Sequence, residues 1–284
     1  MTVQSKPAAV TAWIFDWDGI FVDSELWKAW SYGLGISEVW EGFERLEASR
    51  FDRVEPSASD PFLRICGRFV GRSREEYLEG LIEYYDLCGY ALNDWLEKIL
   101  RGWRQNAPDR IAQVEREQAR AGTPAGSPIL PRDVLFELRR PWFDKVVQRI
   151  VPLESNIRFL KLLPDSTPVG LVTRTPEERV RRLMAQFEIP VDRFGKLTCV
   201  TERSVTKAQM YELTAQALGV SLAQCAAVED TDIGVTDARA ARAPDGSGMG
   251  LVIACPTAMT EVQPFTAADL IVRTGLSALL TLMG

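Results

Sequence analysis

The chain has 284 residues, 46% of them hydrophobic, which suits one large or two modest domains with a sizeable core. Its formal net charge of -6 gives no reason to expect a nucleic-acid partner, and no apolar run is long enough to span a bilayer. There is no histidine, which excludes Ser-His-Asp triads, Cys-His pairs and His-ligated zinc, leaving acid–base work to carboxylates, Lys, Tyr or Cys.

The segment Met1 to Val10 lacks a signal-peptide core. The five cysteines are scattered, odd in number and without a CxxC pair. Reduced, structural thiols in a cytoplasmic protein are the expectation.

In chain order, Val10 to Phe15 reads as a buried strand. Residues 24–150 then read as helical, with no strand run. Tyr77, Leu78, Leu81, Ile82 and Tyr85 share one face of a helix, and Leu92, Trp95, Leu96, Ile99, Leu100 and Trp103 share another. Ala121 to Pro131 is a Gly/Pro/Ser loop, after which Pro141 is expected to open a helix carrying Trp142, Val146 and Ile150.

From residue 151 strands and helices alternate. A helix carries Ile157, Leu160 and Leu163. Pro168 to Thr173 is a strand, and Pro176 starts a helix with Val180, Leu183, Met184 and Phe187 on one face. Leu197 to Val200 is strand-like. A helix over Lys207 to Leu218 is expected to bury Met210, Leu213 and Ala217. Cys225 to Val228, Gly250 to Ala254 and Leu270 to Val272 complete the strands. This alternation predicts an α/β core with a mostly parallel sheet, interrupted just after its first strand by an α-helical insert. The division expected is 1–23 with 151–284 as core and 24–150 as insert. Ligands of such sheets bind beyond the carboxyl ends of the strands.

Four short stretches fall at those ends. The first, Asp16-Trp17-Asp18-Gly19, places two carboxylates one residue apart, pointing the same way off a strand. Like charges that close need a cation or a shared proton. The chemistry suggested is attack by one carboxylate on phosphorus, with its neighbour as general acid and base. Gly19 lets the backbone turn away sharply.

The second is Val172-Thr173-Arg174-Thr175, where a hydroxyl and backbone N–H groups can hold a phosphoryl oxygen. Thr175-Pro176-Glu177-Glu178 is a good capping box. That assigns Thr175 to the helix and Thr173 to the site. The third is Lys207, opening a helix after Ser204-Val205-Thr206, where a cation opposes the macrodipole and hints at a local anion. The fourth is Val228-Glu229-Asp230-Thr231-Asp232-Ile233-Gly234. Its adjacent acids suit a hard cation such as Mg²⁺, with Asp232 read as a residue of the helix start and not a ligand.

Together these stretches resemble the haloacid dehalogenase-like hydrolase superfamily. DWDGIFVDSE, VTRT and VEDTDIGV look like the subgroup of phosphoglycolate phosphatase and β-phosphoglucomutase. The resemblance spans 10–23 and 151–273. It implies a Rossmann-like core with an α-helical cap inserted after the first motif, enlarged here relative to the subgroup's usual cap, and Mg²⁺ held by Asp16, the backbone carbonyl of Asp18, and Asp230, with Glu229 nearby. It also implies an aspartyl-phosphate on Asp16, acid–base work by Asp18, and binding of the phosphoryl group by Thr173 and Lys207, with Lys207 positioning the nucleophile; Arg174, beside Thr173, is a further candidate phosphate-binding residue.

Phosphatases and phosphomutases of the family keep an aspartate at the place of Asp18, whereas dehalogenases and phosphonatases do not. Mutase members often carry a histidine in the first cap helix, where this chain has Trp27 and Lys28, so hydrolysis is favoured over mutase chemistry. Gly67 to Ser73 resembles the cap loop that reaches the active site. Arg68, Arg72 and Arg74 are either substrate contacts, Arg72 foremost, or solvated arginines beside a helix start. The expected activity is Mg²⁺-dependent hydrolysis of a small phosphorylated metabolite by a monomer or homodimer. The alternatives are a sugar phosphomutase and a catalytically silent module whose enlarged cap binds a protein.

Overall fold

The computed structural model describes residues 10–37, 61–120, 122–200 and 205–283. The readings made for Met1 to Ala9, for Ser204 and for 38–60 within the helical insert lie outside the described residues. The chain divides into two compact units, Met1–Ser24 with Val151–Gly284, and Glu25–Ile150.

Strand β1 (Ala12–Phe15) is buried along its whole length, and the short β2 (Val22–Asp23) follows it. The helical unit then contributes α1 (Glu25–Ser37), α2 (Pro61–Gly67), α3 (Arg74–Leu87), α4 (Leu92–Asn106), α5 (Pro108–Arg120) and α6 (Pro131–Val146). Its described residues contain no strand. Leu78, Leu81, Ile82 and Tyr85 form the buried face of α3, and Leu92, Leu96 and Leu100 that of α4, as the sequence periodicity requires.

Pro141 does not open a helix; it lies inside α6. Pro131 is the proline at the helix start, where a missing N–H costs nothing, and the Leu130 N–H donates to Asp133 Oδ2 at 2.9 Å. The helix runs on through Pro141, with Val134, Leu135 and Leu138 buried before it and Val146 buried after it. Ile150 falls beyond a short 3₁₀ turn, Val147–Arg149.

In the other unit β3 (Val151–Pro152) pairs antiparallel with β2, Val22 opposite Pro152 and Asp23 opposite Val151. There follow α7 (Glu154–Leu162), β4 (Val169–Thr173), α8 (Glu177–Gln186), β5 (Lys196–Cys199), α9 (Lys207–Ala217), β6 (Cys225–Glu229), α10 (Asp232–Ala240), β7 (Leu251–Ala254), β8 (Leu270–Ile271) and α11 (Ser277–Met283). Six strands form one sheet in the order β5-β4-β1-β6-β7-β8. Every pairing in it is parallel, so this is an α/β, Rossmann-like fold.

The register aligns Phe15 with both Leu171 and Val228. The carboxyl ends of β1, β4 and β6 therefore meet at one edge. Alternation along β1 sends Trp13 and Phe15 to one face, where Trp13 meets Phe159 edge-on at 4.9 Å. Ala12 and Ile14 go to the other, with Met210, Tyr211, Cys225, Ala227 and Val235.

The face that α9 buries differs from the expected one. Met210, Tyr211, Thr214 and Ala215 are inside, while Leu213 is 49% exposed and Ala217 is exposed. Polar groups with partners account for the rotation. Thr214 Oγ1 donates to the Met210 carbonyl at 2.7 Å and lies 2.6 Å from Thr198 Oγ1, and Tyr211 finds a carboxylate, described below. A satisfied hydroxyl is cheap to bury.

Asn156 ties distant segments of this unit together. Its amide Nδ2 donates to the Ile20 carbonyl at 2.7 Å, and its Oδ1 accepts from the Leu276 N–H at 2.7 Å. Both partners would be left buried and unpaired in Asn156→Ala. Urea unfolding of that variant is expected to show a loss of about 2–4 kcal/mol; a loss indistinguishable from zero would mean the amide clamps nothing.

Candidate active site

Asp16 is the first residue past β1. It continues the Ile14 row toward the face covered by α9, and its N–H donates to the Val228 carbonyl at 2.9 Å. Glu229 ends β6 on the Cys225–Ala227 row, so alternation aims it at the same face. Lys207 opens α9 behind the cap residue Thr206. Thr206 Oγ1 accepts from the Gln209 N–H at 3.1 Å, and Gln209 Oε1 accepts from the Thr206 N–H at 2.8 Å. This fixed helix start brings Lys207 Nζ to 2.9 Å from Asp16 Oδ2 and 2.7 Å from Glu229 Oε1. The anion hinted at by a lysine at a helix N-terminus is thus a pair of carboxylates.

Asp230 completes the group: one ligand oxygen from each of Asp16, Glu229 and Asp230 lies within 4.8 Å of the others, all three residues being buried. Two glycines make room for them. Gly19 has φ +75°, and a Cβ there would fall 1.9 Å from Asp230 Oδ2. A Cβ on Gly234 would fall 2.1 Å from Glu229 Oε2. That oxygen is buried and finds no hydrogen-bond partner among the described residues. Three hard oxygen donors, one with open valence, around a single ammonium fit a hard divalent cation such as Mg²⁺.

Burial alone would lower the Lys207 pKa, but the charges of Asp16 and Glu229 more than offset it and hold the ammonium protonated. Burial and the Asp16 charge push Glu229 above the ordinary carboxylate range, with Lys207 and Tyr211 opposing. Burial and the Glu229 charge hold the Tyr211 phenol well above its usual value, so it is a donor and not a base. Burial pushes the Cys225 and Cys255 thiols up to about 12 and Cys199 to about 11, which disfavours their thiolate forms.

Asp18 stands apart from the acidic group. Ser24 Oγ donates to its Oδ1, and Thr175 Oγ1 donates to its Oδ2 at 2.5 Å. Thr175 is therefore not the cap of α8. Pro176 occupies that place without a side-chain hydrogen bond, because the threonine hydroxyl is taken by the carboxylate. Thr173 ends β4 buried, its Oγ1 accepting the Thr175 N–H at 3.0 Å. The Arg174 guanidinium donates to the Val205 carbonyl at 2.6 Å. Arg72 belongs to the helical unit, its guanidinium 5.4 Å from the centroid of the Phe69 ring. Asp232 lies outside the acidic group; its N–H donates to Gln263 Oε1 at 2.7 Å.

Sequence reasoning missed Ser24, Thr175 and Tyr211. Only Tyr211 carried a usable signal: it lies four residues after Lys207, hence on the same helix face.

No curated protein matches the chain. Solved structures of the same fold are numerous. A protein described as a predicted phosphoglycolate phosphatase from Haemophilus somnus is 12% identical with TM-score 0.56, covering 98% of this chain and 100% of its own. A haloacid dehalogenase family hydrolase from Deinococcus radiodurans, with bound phosphate and sodium, is 15% identical with TM-score 0.54, covering 96% and 94%. The β-phosphoglucomutase of Clostridium difficile is 14% identical with TM-score 0.52, covering 95% and 93%. No helix among the described residues is long and apolar enough to cross a membrane. The model of the haloacid dehalogenase-like hydrolases matches residues 10–243, the span that holds every strand-end motif of the site, and the chain belongs to that family.

Proposed function

We propose that the protein is a Mg²⁺-dependent phosphatase that hydrolyses a small phosphate monoester through an aspartyl-phosphate on Asp16. The observation that carries this reading is the Lys207 ammonium spanning Asp16 and Glu229 at the carboxyl ends of β1 and β6, with Asp230 beside them. It supplies a nucleophilic oxygen, a fixed positive charge and a cluster of hard donors in one buried place. Phosphoryl transfer asks for little more than such positioning and charge neutralisation.

In this reading an Asp16 oxygen forms a bond to phosphorus as the ester P–O bond breaks. Asp18 gives its proton to the departing alkoxide. It then takes a proton from the water that attacks the aspartyl-phosphate, which releases inorganic phosphate and restores the Asp16 carboxylate. The hydroxyls of Ser24 and Thr175 hold Asp18 in one orientation for both steps. Thr173, Arg174 and Lys207 are assigned to the phosphoryl oxygens. The Thr173 hydroxyl accepts the Thr175 N–H, which leaves its own proton to donate. Asp16, Asp230, the Asp18 carbonyl and Glu229 would hold Mg²⁺, which when bound neutralises phosphoryl charge and relieves the repulsion among these acids. Substrate choice is assigned to the helical unit, with Arg72 as its candidate binding residue.

The reading is tested on a panel of phosphate monoesters, sugar phosphates included, with free phosphate measured with and without Mg²⁺. Release that requires Mg²⁺ is expected. No release from any member in the presence of Mg²⁺ would sink the phosphatase, and isomerised sugar phosphate without free phosphate would replace it with a mutase.

A further inference from the structure

Tyr211 is a fully buried phenol on α9 whose hydroxyl donates to Glu229 Oε1 at 2.5 Å. The same oxygen accepts the Lys207 ammonium at 2.7 Å. Tyr211 and Lys207 are four residues apart, one helical turn, so both reach the end of β6 from one face of α9. A row of contacts results: Tyr211 hydroxyl, Glu229 carboxylate, Lys207 ammonium, Asp16 carboxylate.

The row has a physical logic. Lys207 stands between two acids, and the shorter contact is the one to Glu229. A buried carboxylate with the ammonium as its single donor would draw that ammonium toward itself and away from Asp16. A second donor on the same oxygen satisfies part of its demand and fixes the carboxylate in place. The ammonium can then remain shared with Asp16. Glu229 Oε2 offers no alternative anchor, since it has no hydrogen-bond partner among the described residues.

We infer that Tyr211 is a positioning residue of the phosphoryl-transfer site, its hydroxyl fixing the Glu229 carboxylate that aims Lys207 at Asp16. This rests on the phosphatase reading above. Tyr211 touches neither the phosphoryl group nor the nucleophile; it acts through Glu229.

Tyr211→Phe keeps the ring and removes the donor. On the best substrate of the panel its kcat is expected to fall about tenfold, the worth of one hydrogen bond to a charged group, while KM stays within about twofold. A role in packing alone would lower the melting temperature and leave kcat intact. In a Glu229→Gln background the same substitution should change kcat by less than about twofold, because the path it acts through is already broken. A readout without turnover accompanies this: in metal-free protein, urea unfolding of the two single variants and the double variant should be non-additive. Unchanged kcat in Tyr211→Phe, an equal fall in both backgrounds, or strict additivity on unfolding each overturns the inference. A wild-type protein inactive on every ester fails at an earlier step and overturns the phosphatase reading together with it, so the two failures are told apart.

Discussion

Asp16→Asn is expected to abolish phosphate release, by on the order of 10⁴-fold or more, as loss of a nucleophile does elsewhere. The amide is nearly the shape of the carboxylate but cannot form the acyl-phosphate bond. Lys207 keeps its second acid, Glu229, at 2.7 Å, so circular dichroism and the melting curve should remain close to wild type. Two measurements check the cause. Rapid acid quench with a radiolabelled ester should trap label on the wild-type protein and none on the variant. Full steady-state activity in Asp16→Asn would remove Asp16 as nucleophile, whatever the trapping shows.

Lys207→Met is expected to remove activity and also to cost stability, about 3–5 kcal/mol in metal-free protein, the usual penalty for stripping one partner from a buried ion pair. The substitution leaves Asp16, Glu229 and Asp230 together without their ammonium. The pH dependence has a definite sign. Glu229 already has a folded-state pKa raised above its unfolded value, by burial first and then by Asp16. Its stabilising protonated form is fully present below the ordinary carboxylate range and is lost as pH rises through the folded value. Removing Lys207 raises that value further, so wild type and variant lose this stability in parallel up to about pH 8, and the deficit of the variant should deepen as pH rises beyond it. Added Mg²⁺ should return part of the loss, because a ligand of the folded state stabilises it by mass action. A variant as stable as wild type in chelator at neutral pH would contradict the buried-charge account.

The sheet was readable because each strand is a short apolar run closed by a turn, and the motif residues sit where those runs stop. Asp16, Thr173, Lys207, Glu229 and Asp230 could be picked out as polar residues abutting buried strands or opening a helix. What sequence does not carry is the direction of a hydroxyl. Thr175 heads a good capping box, yet its Oγ1 reaches Asp18, 157 residues earlier in the chain. Nothing local announces that competitor. The α9 face failed for a related reason: counting apolar residues favoured Leu213, whereas Tyr211 and Thr214 are buried because distant groups satisfy them. Pro141 was misjudged because the helix had already begun at Pro131 and tolerates the second proline within it. The helical unit's length was visible, but not which of its arginines meets a ligand.

The small antiparallel pair β2–β3 carries a consequence of its own. The chain leaves the α/β unit at Ser24 and returns at Val151, and at that frontier Val22 and Asp23 are hydrogen-bonded alongside Pro152 and Val151. The two ends of the excursion are thus already joined within the unit they leave. For the core, the intervening residues are a closed detour whose entropy of closure depends only weakly on how many there are. Lengthening or trimming that detour would therefore cost the core little, which makes Ser24 and Val151 the natural seam at which to exchange the helical unit.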